Sequence, residues 1–184
     1  DIAQGTVTSF ASNSTILLML RNGSATKKII PHYIRIVNTQ AGAGPTSFRM
    51  AIAIDSFNRY TSGGTDLTTN VCNANTSLPC NSAVDLVRFG SIASPLPTSA
   101  QYVGNFVLKT QAAPCLVVGD EFTFTFSGGP SRSQVTSGTA ARGVTQNVGP
   151  VVLSGKNNCL MLHPWLPSQA GAIRWEVDMA WWER

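Results

Sequence analysis

The sequence predicts an all-β protein, an antiparallel β-sandwich of the jelly-roll type with about eight strands. Apolar residues recur at every second position in short segments, which is the period of a half-buried strand. Clusters of Gly, Pro, Ser and Asn separate these segments and leave no long amphipathic helix. The 184 residues fit one domain. We expect residues 26–184 to form the sandwich and residues 1–25 to be an N-terminal arm or a first strand.

In the first half of the chain the predicted strands are 30–37, 48–55 and 84–92. The first two are separated by a turn-rich segment, residues 39–47, so we expect them to form an antiparallel pair. The glycine-containing segment 60–65 is predicted to be a loop. Residues 66–81 are polar and irregular, and we expect them to lie on the surface.

In the second half the predicted strands are 102–109, 115–126, 144–153, 159–163 and 173–184. Phe122, Phe124 and Phe126 alternate with threonines, which is typical of a half-buried strand. The pair Gly119-Asp120 predicts a turn or bulge that divides this segment. Residues 127–143 have the composition of an irregular segment.

The last predicted strand has the clearest pattern in the chain. Alternation places two sets of residues on opposite faces: Ile173, Trp175, Val177, Met179 and Trp181 on one, and Arg174, Glu176, Asp178, Ala180 and Trp182 on the other. Adjacent Trp181 and Trp182 therefore point in opposite directions. We expect one face to enter the core and the other to meet solvent or another subunit.

Charged residues make up only 12% of the chain, and the formal net charge is +4. A surface of neutral polar groups is less costly to desolvate than an ionic one, which favours protein contacts. The arginines are scattered and only Lys27 and Lys28 are adjacent, so no direct nucleic-acid partner is expected. The apolar run 16–20 is too short to span a bilayer, and no membrane partner is expected.

No motif points to catalysis, and we expect neither an enzyme, nor a cofactor, nor a metal site. His32 and His163 are far apart in sequence, and no nucleophile or zinc signature accompanies them. Glu176 and Asp178 would lie side by side, as in a glycosidase or a calcium site, but an interface stripe with Arg174 is favoured. Residues 63–66 with Asp55 are a weak calcium signal.

The four tryptophans and two of the cysteines indicate contacts of a different kind. All four tryptophans fall in the last 20 residues, and tryptophan is enriched in interface hot spots. Trp165 and Trp182 are therefore candidate subunit anchors, together with Arg174, Glu176 and Asp178. Burial of these tryptophans, or stacking of carbohydrate on them, is the alternative. Cys72 and Cys80 bracket a polar loop, a spacing that allows a local disulfide.

Four segments of the chain, residues 55–65, 118–122, 160–169 and 181–184, form a recognisable set. Together they resemble the capsid decoration, or cement, proteins of tailed bacteriophages, and the resemblance extends from about Lys27 to Arg184. It implies a homotrimer of β-sandwich subunits that binds the major capsid protein on the outer surface of the virion and stabilises the shell. It implies no catalytic residues.

Two other functions remain open. A jelly-roll major coat protein of a small icosahedral virus would be expected to carry a basic arm, and residues 1–25 contain one arginine and no lysine. A carbohydrate-binding β-sandwich module would stack sugars on Trp165 or Trp182.

Overall fold

The structure, a computed structural model, describes residues 2–4, 15–40, 47–74, 82–93, 101–109, 116–128, 132–134, 142–165 and 173–184. These residues form twelve strands and a single 3-10 turn at Thr68–Asn70, with no α-helix among them. The strands are β1 (Ile2–Gln4), β2 (Thr15–Asn22), β3 (Ile29–Gln40), β4 (Ser47–Asp55), β5 (Ser62–Asp66), β6 (Val84–Ala93), β7 (Gln101–Lys109), β8 (Glu121–Thr125), β9 (Arg132–Gln134), β10 (Gly143–Asn147), β11 (Cys159–Trp165) and β12 (Ile173–Glu183). The all-β prediction is confirmed.

The strands are arranged in two six-stranded sheets. Sheet A has the order β1-β12-β3-β8-β10-β9, and sheet B has the order β5-β6-β2-β11-β4-β7. All pairs in sheet B are antiparallel. In sheet A one pair, β8 with β10, is parallel. The prediction of antiparallel sheets therefore holds with a single exception among the described strands.

One apolar core joins the two sheets. Ile36 of β3, Phe122 of β8 and Trp175 of β12 meet Phe48 of β4, and all four side chains are fully buried. The Phe48 ring lies 5.5 Å from that of Phe122 and 5.7 Å from that of Trp175. These contacts follow from the period-two pattern, since alternate residues of each strand point to the same side.

Sheet B is also buried on its second face. Met19 of β2, Met161 of β11 and Ala53 of β4 lie side by side in register, and each is fully buried. They belong to a separate apolar cluster against which Tyr60 packs. Burial on both faces explains why β2 is a continuous apolar run rather than an alternating one.

A buried ion pair accompanies the parallel pairing. The Asp120 carboxylate is fully buried and accepts hydrogen bonds from the backbone N–H groups of Val117 and Arg142, at 2.8 and 2.9 Å. The Arg142 guanidinium donates to the same carboxylate at 2.6 Å. These bonds fix the turn that contains Gly119, whose φ is +89°, next to the start of β10. The predicted turn at Gly119-Asp120 is confirmed.

Two expectations about strands are wrong. The segments 30–37 and 48–55 do not pair, because β3 lies in sheet A between β12 and β8, whereas β4 lies in sheet B between β11 and β7. The segment 60–65 is not simply a loop. Ser62–Asp66 forms the short edge strand β5, in which Gly63 and Gly64 take φ values of +83° and +67° and still pair with β6.

The predicted N-terminal segment contributes strands to both sheets. β1 pairs with β12 in sheet A, and β2 lies between β6 and β11 in sheet B. Residues 5–14 are outside the described part of the chain. In the ranges that the structure describes, no helix is long and apolar enough to cross a bilayer.

Candidate subunit-contact face

The predicted interface residues lie on β12. β3 pairs with β12 along almost its whole length, from Arg174 to Glu183. Arg174, Glu176 and Asp178 are exposed on the outer face of sheet A. The structure therefore brings these three side chains together in one exposed row, as the alternation predicts.

The outer face next to this row is polar. The Tyr33 hydroxyl of β3 donates a hydrogen bond to Asp178 Oδ2 at 3.1 Å. Partial burial and this hydrogen bond raise the pKa of Tyr33. Two positions along β3, Arg35 Nη2 donates to Glu121 Oε2 of β8 at 2.7 Å, and this bond lowers the pKa of Glu121. Exposed ion pairs of this kind contribute little to stability. The pairing of β12, β3 and β8 therefore stabilises this part of sheet A more than its surface ion pairs do.

The tryptophans differ in burial. Trp175 is fully buried in the core, whereas Trp182 is 65% exposed. Trp181 is half-buried and packs against the core, so the two adjacent tryptophans do point in opposite directions. The backbone of Trp165 pairs with Arg49 at the end of β11, but its side chain is outside the described part. The role of Trp165 and Trp182 in subunit contacts stays a prediction.

Glu183 links the end of β12 to the two residues that precede β6. Its carboxylate accepts hydrogen bonds from the Ser82 hydroxyl, from the Ala83 N–H at 2.8 Å and from the Trp181 indole N–H at 3.1 Å. Partial burial alone would raise the pKa of Glu183, but these bonds, helped by Lys27 Nζ at 3.8 Å, lower it. These bonds hold the C-terminal end of β12 in place.

A groove of about 620 Å³ runs beside the second half of β12. Val177, Met179 and Trp181 form one wall, and the segment from Leu67 to Ala74 forms the other. Sequence reasoning missed this groove, because the polar segment 66–81 gives no signal of which strand it contacts. Only the alternation in β12 indicated that an apolar row was present.

The two histidines lie in different sheets and differ in burial. His163 is almost fully buried in sheet B, and burial lowers its pKa to about 4, whereas His32 is exposed on sheet A. The Asp55 carboxylate, part of the weak calcium signal, accepts hydrogen bonds from Arg59 Nε at 2.7 Å and from the Phe57 N–H at 3.1 Å. In the described ranges, no three His, Cys, Asp or Glu side chains are placed to hold a metal ion.

The cysteine prediction is tested only in part. Cys72 is exposed, and Cys80 is outside the residues that the structure describes. The disulfide between Cys72 and Cys80 therefore stays a prediction. Cys159 is buried, and burial raises the pKa of its thiol to about 11.

Comparison with protein-family models, with curated proteins and with solved structures found no match.

Proposed function

We propose that the chain is a virion structural protein, a jelly-roll subunit that functions by assembling with other capsid proteins. The observation that supports this best is the nested order in which eight of its strands pair. In a jelly roll, a long antiparallel ribbon is rolled into two facing sheets, so that the first strand pairs with the last and the pairing continues inward.

The eight strands of this ribbon are β1, β2, β3, β4, β7, β8, β11 and β12. The outermost pair is β1 with β12, and the next is β2 with β11. β3 pairs with β8, and the innermost pair is β4 with β7. Rolling the ribbon adds two lateral contacts, β12 with β3 and β11 with β4. All six pairs are antiparallel, in agreement with a jelly roll.

The other four strands extend the ribbon at its sides. β6 and β5 add to the sheet B edge next to β2, and β10 and β9 add to the sheet A edge next to β8. These additions lie between consecutive ribbon strands in the chain, so they leave the nested order intact. Jelly rolls are characteristic of viral capsid domains, although lectins and cupins also use them, and the fold alone therefore does not determine the function.

Within the capsid we propose the role of a decoration protein, a homotrimer bound to the major capsid protein on the outer surface. The polar outer face of sheet A and the exposed Trp182 support a role in protein contacts. Many modest contacts, repeated by the symmetry of the particle, would stabilise the shell.

The nested pairing also favours a second candidate, the coat protein that builds the shell itself. This candidate needs the same jelly roll but different contacts, since its copies must join edge to edge without another protein.

Light scattering after size exclusion, followed by electron microscopy, tests the two roles. A trimer that adds density to the outside of purified capsids supports the decoration role. Closed shells formed by this chain alone support the coat role. A monodisperse monomer that neither binds capsids nor assembles would refute both. Trp182→Ala is expected to weaken assembly, and Val118→Ala, which removes an apolar side chain that is 61% exposed elsewhere, is the matched control.

A further inference from the structure

β12 loses its second neighbouring strand part-way along its length. β1 pairs with residues Ile173–Trp175, and beyond them β3 is the only strand beside β12 among the described residues. Burial changes at the same point. Ile173 and Trp175 are fully buried, whereas Val177 and Met179, on the same face, are only half-buried. Among the described residues, this side of β12 is therefore an unpaired strand edge beyond Trp175.

The groove described above runs along this edge of β12. Its opposite wall includes Leu67 and Val71, and Val87 of β6 also lines it. Its volume of about 620 Å³ is within the range of ~300–1,000 Å³ that is typical of ligand sites. A groove with a strand edge along one side and apolar lining below suits an extended peptide. The peptide backbone hydrogen-bonds to the edge, and alternate side chains enter the groove.

The charges beside this edge indicate which peptide it would accept. The chain contains nine acidic residues, and six of them form ion pairs with arginine or lysine inside the molecule: Asp55, Asp66, Asp85, Asp120, Glu121 and Glu183. Asp1 is outside the described residues. The other two, Glu176 and Asp178, form no ion pair with the described residues, and both lie on the exposed face of β12 along the open edge.

We propose that this groove binds an extended segment of another polypeptide in which apolar residues alternate with lysine or arginine. The segment adds to sheet A in line with β1, antiparallel to β12. Its apolar side chains face Val177, Met179 and the opposite wall, and its basic side chains lie beside Glu176 and Asp178. This inference does not rest on the capsid proposal, because a strand-binding groove can serve any assembly.

A labelled peptide tests the proposal directly. The probe is a fluorescein-labelled seven-residue peptide that alternates lysine and valine, titrated with the full chain and followed by fluorescence anisotropy. The control peptide has the same composition, with all lysines at one end. We expect saturable binding of the alternating peptide, at least tenfold tighter than that of the control. Amide hydrogen exchange in residues 176–183 should slow when it binds.

Two pairs of variants locate the site. Glu176→Gln is expected to weaken binding by up to about fivefold, the effect of one cross-strand charge pair. Glu121→Gln, which removes one charge from the same sheet face on β8, two strands away from β12, should leave affinity unchanged. Val71→Lys places a charge in the groove wall and should weaken binding at least tenfold. Val118→Lys places the same charge on a remote turn and should not. Circular dichroism confirms that each variant is folded.

Three results would overturn the proposal. They are no binding of the alternating peptide, equal binding of both peptides, and an affinity that Val71→Lys and Glu176→Gln leave unchanged. Analytical ultracentrifugation tests whether a second copy of the chain, rather than another polypeptide, occupies the β12 edge. If the chain alone sediments as a dimer in which the amides of residues 176–183 are already protected, a second copy occupies the edge and the proposal is wrong.

Discussion

His163 should make the protein lose stability in mild acid. Burial in sheet B lowers the pKa of its imidazole to about 4, whereas an unfolded chain restores a value near ~6.5. Between these two values the unfolded state binds a proton that the folded state does not bind. The free energy of unfolding therefore falls as the pH is lowered from about 6.5 to about 4, and it is fully retained above that window. A difference of roughly 2.5 pKa units corresponds to about 3 kcal/mol.

Urea denaturation at pH 7 and at pH 4, followed by tryptophan fluorescence, measures this loss. His163→Phe keeps an aromatic ring of similar size beside Tyr102, whose ring centroid is 6.0 Å away, and removes the titrating group. The variant should lose about 3 kcal/mol less than the parent between the two pH values. His32→Phe, at an exposed histidine, is the control and should behave as the parent does. Equal losses in the parent and His163→Phe would refute the reasoning.

Three further substitutions are expected to have effects of different size, each measured by urea denaturation at pH 7. Trp175→Ala empties the centre of the core and should destabilise the fold by about 3–5 kcal/mol, whereas a loss under 1 kcal/mol would contradict its central position. Asp120→Ala leaves the Arg142 guanidinium without its buried partner and should cost about 3–5 kcal/mol; the double change Asp120→Ala with Arg142→Ala should cost less than the sum of the two single changes. Trp182→Ala should change stability by no more than about 0.5 kcal/mol, since the side chain is mostly exposed, and a larger loss would mean that this indole supports the fold.

The side of the sheet to which each side chain points could be predicted from sequence, because it depends only on local strand geometry. β12 is the clearest case, since successive side chains of an extended chain must alternate. The exposed row Arg174, Glu176 and Asp178 and the buried Trp175 both followed from this rule. The same rule could not show that Glu176 and Asp178 lack ion-pair partners among the described residues, because those partners would have to come from strands far away in the sequence.

The short edge strands gave weaker signals. β5 contains two glycines with positive φ, and β9 has only three residues, so neither shows a period that could be recognised. Each pairs with a longer strand, β5 with β6 and β9 with β10. Such strands depend on tertiary context rather than on local preference.

The error about β3 and β4 shows why sheet partners are harder to predict than faces. Two alternating strands joined by a turn can bury their apolar rows in either of two ways, as a hairpin within one sheet or across the core from opposite sheets. Ile36 of β3 and Phe48 of β4 both need a buried face in either case, so their pattern does not distinguish the two. Here the choice is made by strands that are distant in the sequence. β12 and β8 enclose β3, and β11 and β7 enclose β4, which leaves no edge of either strand for a hairpin.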